Sequence, residues 1–425
     1  MLTKVEVLQV TRDAVAELTA SGYAGSTEVD IDTLPLADLV EFGTNLVSGS
    51  GATIGNELWT QTLIGTMAKF IVENRRLRLQ IPKIFKTSYE WGGFVEIVKF
   101  DLATVYDSLI YSQAALTTVG NPFYGKSIAD VEHDMYKTSY DAKIYDEFKD
   151  FMIPYTKPND AIKSGMRGED DYMRFMAGME TAIANTLTEI LNTYGHALVS
   201  VAAAHSISPA AATFGITGVT GDGMYTAVHL LTEYNSIYGT SKTAADFFNE
   251  PDLYMWCLQR ILNIREFATD NTTAYNNHKK PVPGINIHGV MLTEVYNRYA
   301  TLVEQSAFNP VNIGDWDKIN AWQSSQDTSG NYFDYGTNST IMITKDTKKG
   351  IYNYGTGTPP TTVVDFSAEN VIALVYDEKA IGMTLEELKT TSNYTAVTDT
   401  VNVFMNKRLN YVVNDDFPIV AFCLD

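Results

Sequence analysis

The stretch GEDDYMRFMAGMETAIANTLTEILNTYGHALVSVAAAH, residues 168–205, carries the clearest periodic pattern in the chain. Its apolar side chains recur three and four residues apart, which is the spacing of one face of an α-helix. The members of this stripe are Tyr172, Phe175, Met176, Met179, Ile183, Leu187, Ile190, Leu191, Tyr194 and Leu198. Glu169, Asp170 and Asp171 precede the stripe, where carboxylates favour the positive end of a helix dipole. The pattern predicts one long amphipathic helix over residues 169–202.

Upstream of this helix the period changes from helical to strand-like. The segments LQIPKIFKTSYE (79–90) and FVEIVKFDLA (94–103) are rich in β-branched and aromatic residues, as strands are. Between them lies Trp91-Gly92-Gly93, and glycine adopts the positive φ angles of a tight turn without steric cost. We therefore expect a β-hairpin that bends at the two glycines. The sequence leaves open whether these glycines hold a ligand or form a bend that reaches another molecule.

Charged residues are segregated into two nearby segments. The basic members are Arg75, Arg76, Arg78, Lys83 and Lys86, and the acidic ones are Asp130, Glu132, Asp134, Asp141, Asp146, Glu147 and Asp150. Two solvated faces would explain this pattern. Complementary contact between copies of the chain would also explain it, because opposite charges fix the register of an interface.

The remaining segments are less regular. Residues 1–72 predict short helices joined by Gly/Ser/Thr loops, an arm rather than a compact unit, although Trp59, Leu63, Met67 and Phe70 share one helical face. Residues 128–150 predict an acidic and partly helical segment. The middle of the chain, residues 203–370, mixes helical patterns with long polar loops, and the end is rich in strand formers.

Composition narrows the class of protein. The chain has 425 residues, 45% of them apolar, and a net charge of −20. An acidic chain has no electrostatic reason to bind DNA tightly. Two cysteines, Cys257 and Cys423, are too few for a disulfide framework, and the first residues lack the apolar core of a signal peptide. These features predict a soluble protein made in the cytoplasm, with no membrane span.

One motif invites an enzymatic interpretation. GNPFYGKS, Gly120–Ser127, fits the spacing of a phosphate-binding loop, and Asp377 at the end of VIALVYD would be its magnesium ligand. However, Pro122 lacks an N–H, the loop centre is bulky, and the chain has no regular βαβ alternation. The histidines do not cluster, and no hydrolase motif is present. The sequence therefore predicts neither an enzyme nor a metal or cofactor site.

The order of elements resembles the major capsid proteins of tailed bacteriophages, which have the Hong Kong 97 fold, and most of all those of short-tailed phages. Three stretches carry the resemblance: QIPKIFKTSYEWGGFVEIVKFDLA is similar to the extended loop, FMAGMETAIANTLTEILNTYG to the spine helix, and the C-terminal residues 370–425 to the closing β segment. In this last segment the matching positions are Lys407, Arg408, Val412, Phe417, Ile419 and Phe422. Residues 203–370 depart most from the family.

The resemblance implies an α+β fold with five parts. They are an N-terminal arm (1–72), an extended β-hairpin loop (73–110), a peripheral domain with the spine helix (111–202), an axial domain with a possible insertion (203–395) and C-terminal strands that return to the peripheral domain (396–425). It also implies that Trp91, Gly92, Gly93 and Phe94 contact a neighbouring subunit. The basic residues listed above would then meet acidic ones such as Asp146, Glu147 and Asp150.

The function implied is structural. Copies of the chain would form hexamers and pentamers of an icosahedral or prolate shell around double-stranded DNA, touched weakly and without specificity. Since the sequence begins at Met1, we expect a separate scaffolding protein, besides a portal and possible auxiliary capsid proteins. Assembly would take place in the cytoplasm of the bacterial host, and the product would be the virion. The alternatives are an encapsulin-like cargo shell and a nucleotide hydrolase built on Gly120–Ser127.

Overall fold

The computed structural model describes most of the chain. The described ranges are residues 3–20, 35–38, 40–41, 52–74, 79–86, 95–100, 116–117, 119, 123–132, 140–145, 148–165, 167–208, 225–267, 287–306, 316–322, 335–343, 366–414 and 417–425. The ranges contain both helices and strands, and the larger elements fall within them.

The helices are spread along the chain between the strands. They are α1 (Lys4–Ala20), α2 (Ala52–Asn74), α3 (Ile128–Glu132), α4 (Asn159–Gly165), α5 (Glu169–Ile207), α6 (Leu230–Tyr238), α7 (Ala244–Asn249), α8 (Pro251–Phe267), α9 (Thr293–Ser306) and α10 (Tyr335–Asn338). The strands are β1 (Phe85–Lys86), β2 (Val95–Phe100), β3 (Tyr140–Tyr145), β4 (Phe148–Pro158), β5 (Tyr225–His229), β6 (Ile287–Leu292), β7 (Asp317–Ile319), β8 (Ile341–Ile343), β9 (Phe366–Ala368), β10 (Val371–Asp377), β11 (Ile381–Thr395), β12 (Thr400–Val413) and β13 (Ile419–Cys423).

Two larger sheets organise the strands. One has the order β1-β11-β12-β4, with β1 parallel to β11 and the long strands antiparallel. The other has the order β5-β13-β10-β6-β7, with parallel pairs at both edges and antiparallel pairs in the middle. β2–β3 and β8–β9 form separate antiparallel pairs. Helices and mostly antiparallel sheets without regular βαβ alternation confirm the predicted α+β class.

The long helix α5 confirms the strongest sequence prediction. It begins at Glu169, spans 39 residues and continues past the predicted end to Ile207. Pro209 follows, and proline disfavours helical geometry in the residue before it, so Ser208 leaves the helix at φ −131° and ψ 88°. The first half of α5 buries one stripe, whereas every side chain from Leu198 to Ser206 is buried.

Helix α5 is buried because it contacts both larger sheets. It packs against β11 and β12 of the four-stranded sheet, and against β5 and β13 of the five-stranded one. In the five-stranded sheet, every residue of β10 and β13 is buried, as expected of strands covered on both faces. One apolar core therefore extends from α5 into both sheets.

The N-terminal helices also belong to this core, and the arm over residues 1–72 stays a prediction. Helix α1 packs against α2 and α5, and its side chains Val7, Val10 and Ala14 are fully buried. The predicted apolar face of α2 is confirmed, since Trp59, Leu63 and Met67 are buried and Phe70 packs beside them. Sequence periodicity revealed the faces but not that α5 and the four-stranded sheet cover them.

The strand pairing around the predicted hairpin also differs from expectation. β2 pairs with β3, with Val98 opposite Ala142, while Phe85 and Lys86 pair with β11. The predicted helical character of residues 128–150 is thus wrong beyond α3, because β3 and the start of β4 occupy much of that segment. The charges of YDAKIY (140–145) hid its strand-like alternation. The predicted bend at Trp91-Gly92-Gly93 lies outside the described residues.

The C-terminal segment is divided between the two sheets. β12 pairs with β11 and β4, whereas β13 lies between β5 and β10. The predicted domain boundary between residues 395 and 396 lies at the tip of the β11–β12 hairpin. The two strands of this hairpin pair along their length.

A buried hydrogen bond between α1 and α5 provides a test of this packing. The Thr11 hydroxyl donates to the Val7 carbonyl oxygen at 2.7 Å, so the Tyr172 hydroxyl, 3.0 Å away, donates to Thr11 Oγ1. Burial raises the pKa of Tyr172 well above its ordinary value, so this hydroxyl stays protonated. The pair ties the N-terminal helix to the start of the long helix.

We expect Thr11→Val to lower the free energy of unfolding by about 1–3 kcal/mol, because it leaves the buried Tyr172 hydroxyl without an acceptor. Tyr172→Phe should cost about 1 kcal/mol, and the double variant should cost less than the sum of the two. Urea unfolding of the four proteins measures these differences. Strictly additive losses would contradict the predicted coupling.

Candidate subunit-contact site

The structure describes only part of the predicted contact site. Lys83, Lys86 and Asp150 lie within the described residues. The remaining predicted contact residues, Arg75, Arg76, Arg78, Trp91, Gly92, Gly93, Phe94, Asp146 and Glu147, lie outside them. The segment that leads to Trp91 is described over residues 79–86, and its anchoring to the body of the protein can be followed atom by atom.

Residues 82–86 are held against α5 and β11. Pro82–Ile84 form a single 3₁₀ turn, and Phe85 and Lys86 then pair in parallel with Met383 and Thr384. The Thr384 hydroxyl donates to the Lys86 carbonyl oxygen at 2.7 Å. Ile84 is buried over Gly195, where an added Cβ would lie 3.2 Å from Ile84 Cδ1. A larger residue at 195 would therefore push this turn away from α5.

Gln80 forms a second anchor on α5. Its backbone N–H donates to Asn192 Oδ1 at 2.9 Å, and its side-chain Oε1 accepts a hydrogen bond from His196 Nε2. Burial lowers the pKa of His196 to about 4, so the ring is neutral at neutral pH. The two side chains from α5, one turn apart, thus hold both the backbone and the side chain of Gln80.

Lys86 has its partner within its own chain. Its side chain is 8% exposed, and its Nζ lies 2.5 Å from Glu378 Oε1 in the turn between β10 and β11. The hydrogen bond from Lys86 is the main reason why the pKa of Glu378 is lowered. Lys86 thus forms an ion pair within the chain, and its contact with a neighbouring subunit stays a prediction. Lys83 is half-buried on the 3₁₀ turn.

Asp150 is likewise paired within the chain. It lies opposite Arg408 in the β4–β12 register, and the guanidinium donates to both carboxylate oxygens, at 2.7 and 3.1 Å. This bond from Asp150 raises the pKa of Arg408. Asp150 thus pairs within the four-stranded sheet, and its contact with a basic segment of a neighbouring subunit stays a prediction.

The stretch Gly120–Ser127 does not form a phosphate cradle in its described part, residues 123–127. The Gly125 N–H donates to the Leu116 carbonyl oxygen and the Lys126 N–H to that of Phe123, both at 3.0 Å. The Ser127 hydroxyl oxygen accepts a hydrogen bond from the Asp130 N–H at 3.1 Å, which caps the five-residue helix α3, and the hydroxyl donates to Asp130 Oδ2 at 2.6 Å. In this described part, the N–H groups of Gly125 and Lys126 and the Ser127 hydroxyl are therefore bonded within the chain.

Asp377, the suggested magnesium ligand, also has a structural role. Its Oδ1 accepts a hydrogen bond from the Lys379 N–H at 2.8 Å, and its carbonyl oxygen accepts one from Ala380 at 2.9 Å. These bonds form the turn between β10 and β11. Burial raises the pKa of the Asp377 carboxyl to about 6.

The cysteines, the potential metal ligands and the hydropathy of the helices also bear on function. Cys257 and Cys423 are buried, and burial raises both thiol pKa values to about 12. Within the described ranges, His, Cys, Asp and Glu side chains form no group of three that could hold a metal ion. A search of the same ranges finds no helix long and apolar enough to cross a membrane.

The sequence analysis missed the residues that anchor the segment. Asn192, His196, Glu378 and Thr384 lie between about one hundred and three hundred residues away along the chain from their partners, with separations of 112, 116, 292 and 298. None of them stands out by local pattern. Only the packing of α5 and β11 brings them together.

The Lys86–Glu378 pair predicts an asymmetric response to substitution. Glu378→Gln should lower the free energy of unfolding by about 2 kcal/mol, because it leaves the buried Lys86 ammonium without a counter-charge. Lys86→Met should cost less than about 1 kcal/mol, since the Glu378 carboxylate is partly exposed and water can solvate it. Chemical unfolding at pH 7 compares the two variants, and a larger loss for Lys86→Met would contradict the assignment.

His196 predicts a pH dependence of stability. Its pKa in the fold is below the value of about 6.5 in an unfolded chain, so its contribution is complete above that pH and is lost as pH falls toward 4. The loss amounts to about 3 kcal/mol. Urea unfolding at pH 7 and pH 4 should show a smaller acid loss for His196→Gln than for the unmodified protein. Equal losses would show that His196 titrates normally.

Comparisons with known proteins find similarity in structure alone. No family model matches the chain, and no curated protein matches it in sequence. The capsid structure of Staphylococcus phage Andhra is similar with a TM-score of 0.44 and 10% identity, over 80% of this chain and 83% of that one. A structure of the head fibre and inner core protein of bacteriophage P68 has a TM-score of 0.43 and 9% identity, over 82% and 85%.

A third structure belongs to the same class. The capsid structure of the cyanophage P-SCSP1u is similar with a TM-score of 0.37 and 12% identity, over 80% of this chain and 84% of that one. Likeness at these TM-scores does not by itself carry an inference about function. The solved structures that this chain is similar to are phage head and capsid structures, the class that its sequence resembles.

Proposed function

We propose that this chain is the major capsid protein of a tailed bacteriophage, with the Hong Kong 97 fold, and that it assembles into a shell. The proposal rests first on the order of elements that the sequence resemblance identified. Within the described residues, that order is a segment anchored before Trp91, a long helix, a mixed middle region and closing strands that join both sheets.

The observation that carries the proposal furthest is the anchoring of residues 79–86. Asn192 and His196 on α5, and Met383 and Thr384 on β11, hold the segment immediately before the stretch that contains Trp91. A loop that contacts a neighbouring subunit binds it more tightly when the base of the loop is already fixed. A mobile base would have to be ordered at every contact, which costs conformational entropy. We therefore propose that residues 73–110 form the extended loop, with Trp91 and Phe94 among its contact residues.

The proposed domains follow the two sheets. The four-stranded sheet and the first part of α5 form the peripheral domain, and the five-stranded sheet with α6–α9 forms the axial domain. The C-terminal residues 396–425 supply a strand to each sheet. In a shell, the subunits of hexamers and pentamers would then all have the same rigid body, in which both sheets pack on one helix.

The net charge of the chain is compatible with a shell that does not bind its contents tightly. A net charge of −20 disfavours tight binding of DNA, so packaged double-stranded DNA would touch the inner face weakly and without specificity. We propose no catalytic role. The partners would be other copies of the chain, a separate scaffolding protein, a portal and possible auxiliary capsid proteins. Assembly would take place in the host cytoplasm and end in the virion.

Negative-stain electron microscopy of the purified chain, alone and with a candidate scaffolding protein, tests the proposal. Closed shells, tubes or capsomer rings are the expected result, because interfaces of moderate size multiply in a symmetric assembly. Trp91→Ala should reduce the yield of particles while leaving thermal unfolding of the unassembled chain unchanged. Val119→Ala, at a described and exposed position outside the proposed loop contact, serves as the control.

A chain that remains monomeric under both conditions would contradict the shell proposal. Particles that form around a co-expressed enzyme, and not with phage proteins, would favour an encapsulin-like cargo shell. Unchanged particle yield in Trp91→Ala would leave the shell but remove the proposed loop contact.

A further inference from the structure

Helices α6 and α8 present a group of large apolar side chains to solvent. We call it the aromatic patch, and its members are Tyr234, Ile237, Tyr238, Met255 and Trp256. Ile237 is 59% exposed, Tyr238 56% and Met255 42%, while Tyr234 and Trp256 are half-buried beneath them. Such clustering differs from the single exposed apolar residues that are normal on protein surfaces.

The patch continues the apolar face of α6 beyond the core. Leu230 and Leu231 are buried at the start of the helix, and Tyr234, Ile237 and Tyr238 follow on the same face at helical spacing. The rings support one another, since the Tyr234 centroid lies 4.6 Å from that of Tyr238 and 5.1 Å from that of Trp256. The exposed ring of Tyr238 is therefore packed, tilted and edge-on, against the two half-buried rings of Tyr234 and Trp256.

The patch is also held rigidly. Gly239 ends α6 in the left-handed region at φ 64°, and its N–H donates to the Asn235 carbonyl oxygen. The side chain of Asn235 accepts from Thr240 Oγ1 at 2.8 Å and from the Lys242 N–H at 2.7 Å, and it donates to the Lys242 carbonyl oxygen at 2.9 Å. A preorganised aromatic surface loses little entropy when it binds, and buried Trp and Tyr are the side chains that contribute most to interfaces.

The charges beside the patch are paired within the chain. Arg260 donates to both carboxylate oxygens of Glu233, and Lys242 pairs with Glu250. Asp252 lies in the first turn of α8, where a carboxylate complements the helix dipole. Lys242 and Arg260 are thus neutralised by their partners and offer a nucleic acid no free positive charge. A partner with an equally neutral surface can approach without electrostatic cost, even though each chain carries a net charge of −20.

We infer that the aromatic patch is a contact surface for a second copy of this chain. The inference rests on the proposed shell. In that shell every copy must contact its neighbours through surfaces that do not repel each other, although each chain has a high net charge. Tyr, Trp and Met are enriched in protein interfaces and charged side chains are depleted from their centres, which matches the composition of the patch. Tyr238 and Trp256 are the anchors, and the exposed Ile237 and Met255 are their sequence neighbours on the two helices.

Ile237→Asp tests the contact, with Ser236→Asp as its matched control. Both substitutions add one carboxylate to the last turn of α6, but Ser236 is exposed on the side that faces away from the patch. The protein concentration required for assembly, measured by light scattering and electron microscopy, should rise at least about tenfold for Ile237→Asp. It should stay unchanged for Ser236→Asp, and thermal unfolding of the unassembled chains should be the same in all three proteins.

Radical footprinting of the unmodified protein gives a second test that no substitution can disturb. Labelling of Tyr238 and Met255 should fall severalfold when the chain assembles. Equal labelling before and after assembly would overturn the inference, as would normal assembly of Ile237→Asp. A wild-type chain that never forms a shell contradicts the proposed function instead. If that chain still forms a dimer that Ile237→Asp abolishes, the patch contact stands without the shell.

Discussion

The burial of helix α5 on all sides is the constraint from which the rest of the fold follows. From Leu198 to Ser206 each side chain is buried, so this half of the helix needs partners in every direction. The small residues Ala202–Ala204 allow close approach, and the Ser200 hydroxyl meets its hydrogen-bonding need at the Trp322 carbonyl oxygen, 2.7 Å away. The two sheets, the N-terminal helices and the segment around Ile84 supply those partners.

Two ion pairs connect segments that are distant in sequence. Lys86 meets Glu378 and Arg408 meets Asp150, and each pair joins neighbouring strands or a strand to a turn. Because the carboxylates of both pairs are partly exposed, each contributes little to stability by charge alone. Their effect is to fix register, at the base of the segment before Trp91 and across the edge of the four-stranded sheet. The surface that remains is poor in charge, which suits close packing between copies.

The free edge of the four-stranded sheet is protected against the addition of further strands. β4 pairs with β12 without interruption from Phe148 to Pro158, so Pro154 and Pro158 must occupy positions whose missing N–H faces away from β12. The outer edge of β11 is covered in part by α2, where the Gln61 side chain donates to the Thr390 carbonyl oxygen at 2.7 Å. Copies of the chain would therefore meet through side chains and loops rather than through continuous sheets.

The sequence by itself determined the long helix, the α+β class, the apolar face of α2 and the strand character of the C-terminus. Each of these depends on the periodicity of neighbouring residues, which is a local property. Only the tertiary structure decided that α1 and α2 belong to the core, that β2 pairs with β3, and that Lys86 and Asp150 have internal partners. It also decided that the rings of Tyr238 and Trp256 meet on an exposed surface. The physical reason is that a periodic pattern shows which face of an element is apolar, whereas the partner of that face or charge comes from a remote segment and is set by packing.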